Sequence, residues 1–221
     1  MVKLKESENI WVLGIFLGLL GLLSAFAFAL ALVSARTAPA IRRAKARKTD
    51  AEIRKLGLPA FDRCQECGAV DGIGFRTALK DGKAVGFVAE ASRPGYGGSI
   101  RLLVGFDAAG RILKVSVLEH KETPGLGAEV CERKFQKTLK QLRNPHPEAL
   151  PANPILDQFD GKNAQDAAPW RVQRDGGNFL YKTGATVTSR AVTEAVEAAS
   201  RTLGKNRAEI LAKAKQEAKA K

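Results

Sequence analysis

Ile10 to Val33, IWVLGIFLGLLGLLSAFAFALALV, runs for 24 residues without a charge. As an α-helix it spans roughly 36 Å at 1.5 Å per residue. That is enough to cross a hydrocarbon core of about 30 Å. A cleaved signal peptide has an apolar core of only about 7–15 residues. Small residues in ALVSA resemble a cleavage site, but the run before them is too long. The stretch therefore reads as an uncleaved transmembrane helix in contact with the lipid bilayer. Gly14, Gly18 and Gly21 fall near one face, with Gly14 and Gly18 four apart. That spacing admits a close-packed second helix, although ordinary glycine content in a membrane helix explains it as well.

Charge is distributed unevenly around this segment. The net charge is +13. Arg36, Arg42, Arg43, Lys45, Arg47 and Lys48 follow the apolar run, whereas Lys3 and Lys5 precede it, diluted by Glu6 and Glu8. The positive-inside bias would leave the bulk of the chain in the cytoplasm. A basic chain also suits nucleic acid. No recognition motif is present and the chain is tethered to a membrane, so no nucleic-acid partner is expected.

Behind the helix the pattern changes three times. RTAPAIRRAKARKTDAEIRKLGL reads as a basic linker entering a short helix that ends near Gly57 and Pro59. Two β-prone runs then flank Asp81-Gly82, a hairpin signal. SIRLLVGFDAAGRILKVSVLEH repeats the theme around Asp107 to Gly110. Four antiparallel strands are expected from about Phe75 to Glu119, and their sheet needs a cover. Two helices supply it. GAEVCERKFQKTLKQLRN has Val130, Phe135, Leu139 and Leu142 near the helical period, and SRAVTEAVEAASRTL turns Val192, Val196 and Ala199 inward. WRVQRDGGNFLYKT reads as a further hairpin turning at Asp175 to Gly177. Gly204 reads as a helix stop, and the basic, alanine-rich tail as a solvated helix. The expected class is α+β: one N-terminal transmembrane helix, then a mainly antiparallel sheet domain with covering helices. Its parts are 1–35 with the membrane helix, a linker at 36–60, the domain at 61–204 and a helical tail at 205–221.

Most catalytic signatures are missing. There is no phosphate-binding P-loop, no nucleophile elbow and no zinc-protease motif, so no catalytic residue is assigned. His120 and His146 are the only histidines. Cys64 and Cys67 form a C-x-x-C pair without the second pair that a zinc site needs. A local disulfide or two plain cysteines is the ordinary reading, and a metal shared with another subunit is the remaining one. Three segments stand out. RPGYGGSI, Arg93 to Ile100, has glycines that allow close backbone approach around Tyr96. HKETPGLGAEV, His120 to Val130, places Glu122, Thr123 and Leu126 before a helix that starts at Gly127 and whose free N–H groups favour an anion. Each alone is also explained as a tight turn. YKTGATVTSRAV, Tyr181 to Val192, crowds Thr183, Thr186, Thr188 and Ser189 around small Gly184 and Ala185 at a helix start. Thr188 or Ser189 would cap that helix. One hydroxyl suffices for a cap, and the others, with Lys182, would suit a phosphate.

Together and in this order, the three segments resemble the FMN-binding domain found in the G subunit of the Rnf electron-transport complex. The same domain occurs in the C subunit of the sodium-translocating NADH:quinone reductase. The resembling residues are Gly95-Tyr96-Gly97-Gly98, Glu122 to Gly127, and Thr183-Gly184-Ala185-Thr186-Val187-Thr188. The resemblance spans essentially the whole chain, and the length favours the Rnf protein. It implies covalent FMN, joined by a phosphoester to Thr186 and loaded from FAD by a separate flavin transferase. Lys182, Thr183, Gly184, Ala185, Val187, Thr188, Glu122, Thr123, Leu126, Gly127 and Tyr96 would then surround the cofactor. It further implies an electron-transfer subunit without a substrate site of its own. Its partners would be the other membrane and peripheral subunits of a complex coupling ferredoxin:NAD electron transfer to ion translocation. The family places the flavin domain on the outer face of the inner membrane, against the charge bias. Cys64, Cys67 and the basic tail have no counterpart in the family pattern. The same domain would also serve a membrane-bound regulatory or sensory flavoprotein, or a flavin-free structural tether.

Overall fold

The computed structural model describes residues 2–133, 150–163 and 169–219. The chain divides into two compact units, Met1–Lys48 and Thr49–Lys221. The first is helical throughout and belongs to α1, Val2–Arg54. Its most apolar window has a mean hydropathy of 2.5, and 0% of it is buried. Leu19, Leu22, Phe26 and Phe28 are all exposed. In water that surface would cost about 25 cal/mol per Å², so α1 has the character of a membrane span. Its polar side chains satisfy themselves: the Ser24 hydroxyl donates to the Leu20 carbonyl at 2.8 Å and Thr37 to Val33 at 2.9 Å. The expected linker at 36–60 is not a separate element. Helix α1 continues through Pro39 to Arg54, because the Ala-, Arg- and Lys-rich sequence there has high helix propensity.

The second unit is built on an antiparallel meander. Its strands are β1 (Arg63–Val70), β2 (Ile73–Lys80), β3 (Lys83–Pro94), β4 (Ser99–Asp107) and β5 (Ile112–Glu119), hydrogen-bonded in that order. The expected hairpin at Asp81-Gly82 is present, with Lys80 paired to Lys83 across it. The turn at Asp107 to Gly110 also forms, tied by the Asp107 carboxylate accepting from the Ala109 and Arg111 N–H groups. Strand β1 was not expected. It is joined to β2 by Asp71-Gly72, at φ of 52° and 75°, which is the same turn chemistry as Asp81-Gly82.

Period-two alternation gives the sheet two apolar faces. On one, Phe75, Phe87, Ala89, Ile100, Leu102, Val104 and Phe106 are buried beneath α4, Thr186–Lys219. On the other, Val88, Leu103 and Leu118 are buried with Ile53 and Leu56 from the end of α1 and the turn after it. The inward positions of α4 are Val192, Val196 and Ala199, as expected, each 0% exposed. Gly204 does not stop this helix. The helix passes through it, bends at Asn206 and buries Ile210 and Ala214 in the main core. The expected solvated tail, as far as Ala214, is thus part of the domain, because the burial of Ile210 outweighs the roughly 1 kcal/mol that a helical glycine costs.

Two short helices complete the described chain, α2 (Gly127–Cys131) and α3 (Pro154–Asp157). Helix α2 starts where expected but ends at Cys131, where Glu132 turns to extended backbone. The Phe135, Leu139 and Leu142 stripe and His146 lie outside the described residues. Residues 171–180 do not make a β-hairpin. A 3-10 turn at Gln173–Asp175 and a single bridge between Val172 and Phe179 fold the segment back on itself. Phe159, Trp170 and Phe179 stack beneath it, with ring centroids 4.9–6.1 Å apart.

Candidate functional site

Three segments far apart in sequence meet at one cavity of about 360 Å³. It is lined by Tyr96, by Glu122, Thr123, Leu126 and Gly127, and by Gly184 to Thr188, with Arg174 added. The volume lies at the lower end of the range for small-molecule sites, about 300–1,000 Å³.

Glu122 joins the three segments. It is only 6% exposed. Its Oε1 accepts from the Gly97 N–H at 3.0 Å, and its Oε2 accepts from the Thr188 hydroxyl at 2.6 Å. One carboxylate thus holds the turn after β3, the loop after β5 and the first turn of α4. Gly127 makes room for it: a Cβ at Gly127 would lie 2.5 Å from Oε2 and 2.7 Å from the Thr188 Oγ1. At the start of α2, where an anion was expected, the Ala128 and Glu129 N–H groups donate to the Thr123 and Leu126 carbonyls. With five residues, α2 also has little dipole to offer.

Thr186 is the first residue of α4, 9% exposed and on the cavity wall. No acidic residue stands in that first turn, so the helix start favours an anion. Arg174 Nη1 donates to Thr186 Oγ1 at 3.2 Å. The 3-10 turn that carries Arg174 is fixed to α4 by Arg190, which donates to both oxygens of Asp175 at 2.5 Å. The Arg190 hydrogen bonds hold the Asp175 carboxyl below its ordinary range.

The expected helix cap is absent. Thr188 and Ser189 stand inside the first turn rather than before it. Thr188 is engaged by Glu122, and the Ser189 hydroxyl donates to the Ala185 carbonyl at 3.0 Å while accepting from the Lys182 N–H at 3.2 Å. Gly184, at φ 83°, makes the sharp turn before them. Lys182 does not line the cavity; its ammonium pairs with Glu129 at 2.6 Å. Thr183 is exposed and also off the cavity wall. Tyr96, Leu126 and Val187 line the cavity and are 77%, 44% and 44% exposed. Apart from Leu180, they are the exposed large apolar side chains among the described residues beyond α1. An apolar rim and a cationic, hydroxyl-bearing end suit a ligand with a flat ring system and a phosphate.

Residues 95–201 match the family model described as FMN-binding domain. The G subunit of the ion-translocating oxidoreductase complex of Pseudomonas aeruginosa is 42% identical over 134 residues, 59% of this chain and 54% of that protein. The corresponding protein of Escherichia coli K12 is 42% identical over 125 residues, 55% of this chain and 52% of its own length. That of Shewanella oneidensis is 37% identical over 146 residues, 65% and 60% respectively. The chain is similar to these proteins and spans about half the length of the curated relatives it matches. Gly95 to Gly98, Glu122 to Gly127, Arg174 and Thr183 to Thr188 lie within the matched residues; α1 and β1 to β3 precede them.

The C-x-x-C pair lies in that preceding part and is dispersed by the strand. Cys67 faces the main core, with its Sγ 3.1 Å from Thr77 Oγ1, whereas Cys64 packs on the opposite face of the sheet. All three cysteines are reduced thiols. Burial pushes the Cys64 thiol up to about 11 and the Cys131 thiol to about 12. Cys64 and Cys67 thus stand on opposite faces of the sheet, and no group of three or more His, Cys, Asp and Glu fit to hold a metal occurs among the described residues.

Proposed function

We propose that this chain is the flavin-carrying, electron-transfer subunit of a membrane-bound ion-translocating oxidoreductase. The observation that carries this reading is the meeting of the three segments at one cavity, with the Thr186 hydroxyl on its wall beside Arg174. The site fits FMN in volume, in its apolar rim and in its cationic end. FMN supplies reversible redox chemistry when bound. The chain's residues position it. Tyr96, Leu126 and Val187 present apolar surface to a ring, Thr186 provides the oxygen for a phosphoester, and Glu122 keeps the framework assembled. A phosphoester leaves the ring unmodified and prevents its loss, as befits a carrier that passes single electrons to a neighbour. Loading by a separate flavin transferase, coupling between ferredoxin and NAD, and association with further membrane and peripheral subunits complete the proposal.

In-gel fluorescence tests the attachment. The full chain expressed with its transferase should show flavin fluorescence that survives denaturation, and Thr186→Val should abolish it. Retention in that variant, with loss on removing another hydroxyl, overturns the assignment of Thr186. A colourless native protein would favour the structural tether.

The proposal places the flavin domain on the outer face of the inner membrane, with α1 as the single span. Support comes from the family resemblance, against the basic run Arg36 to Lys48. Protease added after opening only the outer membrane should digest the domain. Digestion only after the inner membrane is broken would reverse the placement.

A further inference from the structure

We infer that Arg174 is the residue that recognises the flavin phosphate, holding the attachment oxygen before the bond forms and facing the phosphodiester afterwards. This rests on the reading of Thr186 as the attachment oxygen. The cation suggested by sequence spacing, Lys182, is paired with Glu129 away from the cavity. Among the described residues lining the cavity, Arg174 is the one cation, and the one other charged side chain is Glu122. Both oxygens of Glu122 already accept hydrogen bonds from the protein. Asp175, the acid adjacent to Arg174 in sequence, is gripped at both oxygens by Arg190. That grip keeps Asp175 from taking Arg174 and orients the 3-10 turn.

The guanidinium therefore faces the start of α4 with N–H groups to spare: one reaches Thr186 Oγ1 at 3.2 Å, and a guanidinium has five. Its planar fork suits the oxygens of a phosphate. In attachment from FAD, the Thr186 oxygen bonds to the phosphorus of the FMN half. The phosphoanhydride bond to the AMP half breaks, AMP departs with the bonding electrons, and the hydroxyl proton passes to a base on the transferase or to solvent. No electrons are gained or lost by the flavin. Donation from Arg174 favours the deprotonated oxygen during this step. The phosphodiester formed keeps one negative charge, which Arg174 then offsets.

The test separates phosphate recognition from upkeep of the cavity. Apo full-length chain, produced without flavin transferase and held in detergent, is titrated with FMN and with riboflavin, and binding is read by flavin fluorescence. Hydrogen bonds to charged groups are worth about 1.5–3 kcal/mol. Wild type should therefore prefer FMN by about tenfold or more, since a factor of ten corresponds to about 1.4 kcal/mol. Arg174→Gln should erase that preference while leaving riboflavin affinity within about twofold, and Arg174→Lys should keep part of it. An unchanged FMN preference in Arg174→Gln, or an equal loss for both ligands, overturns the inference. Thr186→Val is run beside these with transferase and FAD. If it still acquires covalent FMN, the Thr186 reading fails on its own, while the ratio of the two affinities still judges Arg174.

Discussion

A carboxylate as buried as Glu122 is stable only if its oxygens are satisfied, because an unpaired buried charge costs several kcal/mol. Here the two partners are a backbone N–H and a hydroxyl from different segments. The contact leaves no slack. Gly127→Ala would push a methyl against both Glu122 Oε2 and Thr188 Oγ1. Overpacking of this kind costs about 1–3 kcal/mol, so the denaturant midpoint should fall accordingly and flavin loading with it. A variant with wild-type stability and loading would show that the carboxylate can move aside. The residues of this site were only partly legible beforehand. Thr186, Glu122 and Gly127 stand in segments whose glycines and hydroxyls announce themselves. Arg174 does not, because it lies 12 positions before Thr186 in a turn with no regular spacing to it. The stacking of Trp170 and Phe179, the Val172–Phe179 bridge and the Arg190–Asp175 pair bring it there. Conversely, Lys182 is near Thr186 in sequence and still turns away, since Glu129 offers it a direct ion pair.

At the scale of elements, sequence signals succeeded where local chemistry and burial agree. Asp81-Gly82 flanked by β-prone runs made the hairpin plain. Asp71-Gly72 carries the same turn signal, but CQECGAV also has the spacing of a ligand pair, and β1 is an edge strand whose outward positions include Glu66 and Gly68. Gly204 failed as a stop because tertiary burial overrides local propensity. The segment beyond it is an integral cover for the sheet: Ile210 is 0% exposed and Ala214 1%. Arg207 adds to it, lying 5.8 Å over the Phe87 ring and donating to the Ala108 carbonyl. Ile210→Ala should therefore lower stability by about 2–5 kcal/mol, seen as a fall in Tm. A change under about 0.5 kcal/mol would return the tail to the solvent.

For the whole molecule, the two ends of the apolarity scale divide the labour. The α1 segment Gly14–Val33 shows an all-round apolar surface, and among the described residues the sheet unit keeps its exposed large apolar side chains to Tyr96, Leu126, Leu180 and Val187. Both facts follow from one sequence property, the absence of charge from Ile10 to Val33, against a domain whose apolar residues alternate. The α+β class was legible for that reason. The continuous helix through Pro39 was not, since a proline beside a basic run ordinarily marks a linker.

The Glu122 contact has a consequence in time as well as in space. Local opening in proteins proceeds in cooperative groups. Three segments fastened to one buried charge cannot loosen separately without leaving that charge unmatched. The turn at Gly97, the loop at Gly127 and the first turn of α4 should thus open together. Amide exchange across Gly95–Gly98, Thr123–Ala128 and Thr186–Ser189 should share one opening free energy in wild type and separate in Glu122→Ala. Distinct exchange rates for the three segments in wild type would refute this. A flavin resting on them would be bound to a single gate, which lets solvent in everywhere at once or nowhere.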